Sequence, residues 1–224
     1  FRTPALEELY SDGPHLADFS FNIGNPELGS ETGLGVEAFV RATLPRLSIE
    51  GGVFRNRIQN YIHYAPTGEL DPRLGRFPVF QATGADAVFT GAEAQVQWQA
   101  MPRLVLESTA SYVRGTRRSD GDPLPAIPPL DGSVGLRYDT RSWFAGMEWT
   151  GSAAQNRVPR PLTVAGEVVT LERPTPGRGL ANAIAGLRTS RGGRLHSLTL
   201  RVDNLADRAW RDHLSRLKEV APQP

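Results

Sequence analysis

From Gly33 to Leu44 the even positions are all apolar (Leu34, Val36, Ala38, Val40, Ala42, Leu44), while the odd positions hold Gly35, Glu37, Phe39, Arg41 and Thr43. A period of two sends successive side chains to opposite faces of a strand, so one face here is oily and the other mixed or polar. After Pro45-Arg46 the pattern resumes, with Leu47, Ile49, Gly51 and Val53 opposite Ser48, Glu50, Gly52 and Phe54. Pairing Leu44 with Leu47 sets Arg41 across from Glu50 and Phe39 over Gly52, which is favourable cross-strand chemistry. Pro45 cannot supply the positive φ of a tight primed turn, so a wider turn in the same register is expected.

The same alternation predicts strands over about 77–98 (clearest at Ala92, Ala94, Val96 and Trp98), 104–112, 130–138, 142–150, 178–189 and 194–204. Residues 1–32, rich in Pro, Gly, Asn and Asp, read as a long loop. Residues 55–76 finish a strand and cross a polar loop, and 114–129 form another. A further long loop spans 152–176, with a short hairpin around Ala165-Gly166. Connections therefore alternate short and long. One rim of tight turns and one of extended loops is the pattern of a membrane barrel.

Polarity supports that reading. Glu37, Arg41, Glu50, Glu93, Gln95, Glu107, Arg137 and Glu148 fit a lumen face. Trp98, Tyr112, Tyr138, Trp143 and Trp149 sit near strand ends, where membrane interfaces favour amphipathic rings. No apolar run reaches the length of a transmembrane helix. The fold class expected is all-β: an antiparallel transmembrane β-barrel fragment of about eight strands, with long external loops and short periplasmic turns.

Composition narrows the chemistry. Formal charge is +1 and Lys218 is the sole lysine, so no bulk field draws in nucleic acid. Without cysteine there is neither a disulfide framework nor a thiolate metal site. No nucleophile elbow, phosphate-binding loop or zincin helix occurs, so no enzyme is expected, and no cofactor.

Three stretches carry a family resemblance. "FRTPALEELYSDGPH" with "IGNPELGSE" resembles the F-R-x-P-x-x-x-E-L-Y-x-x-G-x-H and G-N-P-x-L-x-x-E pattern of TonB-dependent outer-membrane receptors, particularly those for zinc, haem and siderophores. "DAVFTGAEAQV" resembles a G-x-E step in a comparable strand. "VDNLADRAWRDHLS" resembles the V-x-N-L-x-D-x-x-Y segment before the last strand, with Trp210 in place of Tyr. The resemblance implies that residues 1–224 are part of a barrel of about 22 strands, the plug domain and final strand lying outside this chain. It implies a bacterial outer-membrane location, contact with membrane lipid, and import of a metal ion, haem or metal–siderophore complex. It also implies as partners the TonB energy-transducing complex, acting through a plug-side segment, and the outer-membrane assembly machinery. The alternatives are a passive porin or adhesin-like barrel and a soluble all-β binding module.

Candidate substrate contacts are His15, Asp12, His63 and Asp71, with Asp18 beside them, provided the external loops converge; imidazole and carboxylate together suit a metal or haem iron. Against this stands a loop-fixing role for "ELYSDGPH", with Asp12-Gly13-Pro14 making a turn and His15 a hydrogen bond, which the isolation of each His favours. Asp120 and Asp122 lack the further oxygens of a calcium loop. Arg157, Arg160, Arg173 and Arg178 flank a loop that could attract an anion. Asp207, Asp212 and His213 read as loop-stabilising.

Overall fold

A computed structural model describes residues 1–16, 20–71, 73, 77–164, 167–170, 172–215, 218 and 222–223. Eight long strands run as an antiparallel meander: β3 (Thr32–Leu44), β4 (Leu47–Leu70), β5 (Pro78–Met101), β6 (Leu104–Arg117), β7 (Asp131–Asp139), β8 (Trp143–Ser152), β11 (Arg178–Arg191) and β12 (Arg194–Val202). They follow the alternating segments of the sequence closely. The strands β3 and β12 form the two edges, so the sheet is an open wall rather than a closed barrel.

The register is the one the residues favour. Leu44 faces Leu47, Arg41 faces Glu50 and Phe39 faces Gly52. The turn is not wider, however: Pro45 and Arg46 alone make the connection, neither with positive φ. Proline is favoured at the first central position of a type I turn, which needs no left-handed residue.

Three other expectations change. Residues 1–32 are not one loop, because they hold the helix α1 (Leu6–Tyr10) and the strands β1 (Asp12–His15) and β2 (Ser20–Ile23). Asp12-Gly13-Pro14 is therefore strand rather than turn, with Asp12 opposite Ile23 and His15 opposite Ser20. The strand β2 adds in parallel to the outer end of β5, Phe21 to Ile23 against Val79 to Gln81, giving a ten-stranded sheet. Finally, β4 continues to Leu70 instead of giving way to a polar loop within 55–76, passing a bulge at Asn60, whose φ is 55°. The strands β9 (Leu162–Val164) and β10 (Glu167–Val169) pair as the expected hairpin; its tip, Ala165-Gly166, lies outside the described residues.

Directly paired residues share a face, so the register sorts the wall into two surfaces. Glu37, Arg41, Glu50, Glu93, Gln95, Glu107, Arg137 and Glu148 all fall on one. The other carries the Leu34–Leu44 row, Ile49, Val53, Val96, Leu106, Val134, Leu136, Met147, Leu187, Leu198 and Leu200. That oily face is bare: Leu34 is 71 % exposed and Leu198 70 %. From Leu34 to Leu44 it runs about 34 Å along the strand, or about 26 Å along an axis tilted by about 40°. Trp98, Tyr138 and Trp143 lie on it near the tight turns, the last two rings 5.3 Å apart, and Tyr112 and Trp149 lie towards the long-loop end.

Buried apolar contact occurs instead on the polar side of the long-loop end. There the loop after β6 folds inward, and Leu124 and Ile127 pack with Ala87 against Tyr61, Phe89 and Val113.

Candidate functional site

Three neighbourhoods make up the inner and outer surfaces on which a solute could act. The first is the polar face of the wall, where a groove of about 470 Å³ runs over Glu37, Arg41, Glu50, Glu93, Gln95 and Asp131. Its charges are cross-linked between strands: Arg41 Nε lies 2.9 Å from Glu50 Oε1, Gln97 Nε2 donates to Glu107 at 2.9 Å, and Arg201 lies 3.4 Å from Glu148. At the tight-turn end, Arg137 and Arg188 both bond Asp139 and sandwich the Phe144 ring at 4.2 and 4.6 Å.

The second neighbourhood is the motif-bearing start of the chain. Arg2 bonds Glu31 at 2.7 Å and Glu8 at 2.9 Å, Glu8 accepts the Ala5 N–H, and Glu31 accepts the Ile62 N–H. Arg2 and two glutamates of the "FR…EL…SE" stretches thus bolt α1 to β4. Arg2, ahead of burial, holds the Glu31 carboxyl below its ordinary range. Gly24 follows the same logic, since its amide bonds the Ser11 carbonyl and a Cβ there would come within 2.5 Å of the Leu9 and Tyr10 backbone.

The predicted contacts stand at this outer end. Asp12 is exposed and paired with Arg73 at 2.7 Å. Asp71 is buried, and its Oδ1 accepts the Arg73 N–H. Arg73 therefore brings Asp12 and Asp71 to one place. His63 faces the same way as Tyr61, stacked at 6.2 Å, with Nδ1 3.3 Å from the Tyr61 carbonyl oxygen; burial pushes its pKa down. His15 ends β1, three residues from Asp12, and is half-buried. Asp18 lies outside the described residues. Among the described residues no three His, Asp or Glu side chains converge as a metal would require.

The third neighbourhood was visible in the sequence only as separate residues. In the external loops the His213 ring is buried, Nε2 3.1 Å from Glu172 and Nδ1 2.9 Å from Thr175 Oγ1, and Lys218 Nζ lies 3.2 Å from the same Glu172 oxygen. Glu172 also accepts the Ala126 N–H, so one carboxylate joins three loops. Asp120 and Asp122 are held by Arg117 and Arg160, at 2.6 and 2.7 Å, so both carboxylates are engaged by guanidinium groups. Arg178 stacks on Trp210 at 4.3 Å and lies 3.5 Å from Asp131. Asn204, with φ of 54°, closes the turn after β12 by bonding Arg208 through both ends of its amide.

A bare oily face, a cross-linked polar face and loops folded over one rim are what the family suggested by the motifs would show. A family model described as TonB dependent receptor-like, beta-barrel, matches residues 1–205. The chain belongs to the TonB-dependent receptor β-barrel family. Solved structures of similar fold include a copper transporter, OprC, 24 % identical with a TM-score of 0.77, covering 100 % of this chain and 33 % of that one. A variant of the ferric enterobactin receptor PfeA from Pseudomonas aeruginosa is 20 % identical, TM-score 0.68, covering 93 % and 32 %. The siderophore receptor PirA from Acinetobacter baumannii is 17 % identical, TM-score 0.65, covering 92 % and 32 %. At these identities the likeness is one of fold. The chain spans about a third of each of these structures, so it is one section of a TonB-dependent receptor wall.

Proposed function

We propose that the protein bearing this chain is an outer-membrane receptor that binds a scarce nutrient at its outer loops and imports it with TonB-coupled energy. The observation that supports this most is the bare apolar face backed by a continuous polar one. An exposed oily surface of this extent suits lipid, and the opposite face suits a hydrated or plugged lumen. Among the described residues no constellation calls for catalysis, and the family is one of TonB-dependent receptors.

The substrate class proposed is a metal ion, haem or metal–siderophore complex, in keeping with the printed names of OprC, PfeA and PirA. Contacts are placed at His15, Asp12, His63 and Asp71. Asp12 is occupied by Arg73, so a cationic ligand must displace that guanidinium, whereas an anionic chelate could use it. TonB would act on a plug-side segment, and the assembly machinery would insert the barrel.

The test uses the intact protein. It should fractionate with the outer membrane, migrate faster unheated than boiled, and lose nutrient uptake when TonB is deleted. Uptake equal with and without TonB would instead establish a passive porin, and a detergent-free soluble protein without the heat shift would sink the membrane reading. Unchanged substrate affinity in His15→Ala would remove His15 from the contacts.

A further inference from the structure

The tight turns of the wall all carry arginine. Arg46 follows Pro45, Arg103 follows Pro102, Arg141 lies between β7 and β8, and Arg191 and Arg194 flank the turn between β11 and β12. From β3 to β8 successive turns stand two strand spacings apart, about 10 Å, and the β11–β12 turn continues the row. All these arginines are exposed. Among the described residues, no ion pair or side-chain hydrogen bond engages any of them. Asp139, the acid at the β7–β8 turn, is already held by Arg137 at 3.0 Å and Arg188 at 2.9 Å.

The last turn is the most exposed of them. Gly192 and Gly193, with φ of 60° and 73°, make the reversal, so the turn does not need the arginines beside them. Arg191 and Arg194 are nevertheless direct cross-strand partners, and like charges placed opposite each other are destabilising. A bound anion would relieve that repulsion. The hairpin also stands clear of its neighbour, because β11 pairs with β8 only as far as Leu187 opposite Trp143. The oily face ends there, at the Leu187–Leu198 pair. Arg191 and Arg194 lie four positions further, about 13 Å along the strand, or about 10 Å along an axis tilted by about 40°. One headgroup layer is about 5–8 Å deep, so the tip emerges into the aqueous space beyond it. A row of fixed positive charge in water, without a free carboxylate of its own, suits a repeating polyanion. The guanidinium fork matches carboxylate oxygens in pairs. The periplasmic polymer of that chemistry is peptidoglycan, whose peptide stems carry free carboxylates.

We propose that Arg191 and Arg194, with Arg141, Arg103 and Arg46 in line, dock this section of the wall on the carboxylates of peptidoglycan. The proposal rests on the membrane-spanning reading, with the tight turns on the periplasmic side. It goes beyond that reading, because neither spanning nor import needs a basic floor.

The experiment takes the intact receptor in detergent and measures its co-sedimentation with purified peptidoglycan sacculi, native or with their carboxylates amidated. The heat shift is recorded for every sample. The wild-type protein should bind native sacculi at least about fivefold more tightly than amidated ones, with affinity falling as salt rises. R191Q/R194Q should narrow that preference, and adding R46Q/R103Q/R141Q should abolish it, both with the heat shift intact. Arg55→Gln, at the long-loop end, should keep the preference. A wild-type protein that does not distinguish the two preparations overturns the proposal, whether or not the variants fold. So does a fivefold-substituted variant that still prefers native sacculi. Vesicles of anionic phospholipid that strip the wild-type protein from native sacculi would give the row to headgroups and overturn the polymer as its partner. Absence of the heat shift in the wild type would instead overturn the membrane reading beneath it.

Discussion

Arg2 lays a two-pronged hydrogen bond on Glu31, Nη2 to Oε1 at 2.7 Å and Nε to Oε2 at 3.0 Å, and the doubly bonded carboxylate takes the Ile62 N–H at 2.8 Å. Arg2→Ala should weaken the attachment of residues 1–31 to β4 by about 2 kcal/mol, the scale of hydrogen bonds to a charged group. Arg2 is half exposed, which keeps the figure from rising further. Amide exchange at Ile62 is the measure, and exchange as slow as in the wild type would show the fork to be idle.

The same pair sets a pH response. Arg2 holds the Glu31 carboxyl below its ordinary value of 4.5. A group so depressed adds stability that is fully present above the unfolded value and is lost as pH falls through the folded one. Protection at Ile62, corrected for intrinsic exchange, should therefore stay level from about pH 7 to about pH 5 and decline below about 4.5. A decline beginning near neutrality would point to some other group.

Gly24→Ala should displace α1, because the added methyl meets the Leu9 and Tyr10 backbone at 2.5 Å. The expected cost is about 1–3 kcal/mol. Protease nicking within residues 1–31, with the heat shift of the barrel intact, is the expected readout. Resistance equal to the wild type would count against the close packing.

His213 responds to acid in a different range. Burial, with help from Lys218, pushes its pKa below 6.5 despite Glu172. Neutral, the ring can accept at Nδ1 from the Thr175 hydroxyl, while Nε2 rests 3.1 Å from Glu172 Oε1. Protonated, it adds a charge to a buried site. A folded pKa below the unfolded one means that stability present above about 6.5 is lost as pH falls towards the folded value. Proteolysis of residues 203–215 should accelerate between about pH 7.5 and 5.5 in the wild type and not in His213→Gln. Equal acceleration in both would exonerate the histidine.

Position on the wall should decide the cost of a new charge. Val40→Arg, in the middle of the exposed apolar row, should destabilise the vesicle-inserted receptor by about 2–4 kcal/mol, and Gln95→Arg, facing Glu50 on the polar side, by less than about 1. Guanidinium unfolding of the two variants gives the comparison, and equal losses would contradict the assignment of faces.

These contrasts also show what the residues made legible. The strands from β3 to β8, apart from the outer part of β4, and β11 and β12 could be read because alternation is a local signal, and Leu44, Leu47, Arg41 and Glu50 set the first register through neighbours only a few positions apart. The start of the chain could not. The strand β2 is held by three residues of parallel pairing with β5, and Arg2 finds Glu31 across 29 positions, so neither leaves a periodic trace. The outer rim was harder still. Asp12 and Asp71 meet through Arg73, a residue with no metal-binding character, and the His213–Glu172 pair spans two loops. A list of His and Asp residues names possible ligands without showing which of them are already engaged.

The strands β4 and β5 are 24 residues each, against nine in β7 and ten in β8. Since all share a floor of tight turns, the taller pair overtops β7 and β8 by about 14 residues, close to 50 Å measured along the strand. The rim of this section is therefore a ramp instead of a level lip. Under the proposed function, a solute would meet a palisade at β4 and β5 and a low sill at β7 and β8, which would give its approach a compass direction.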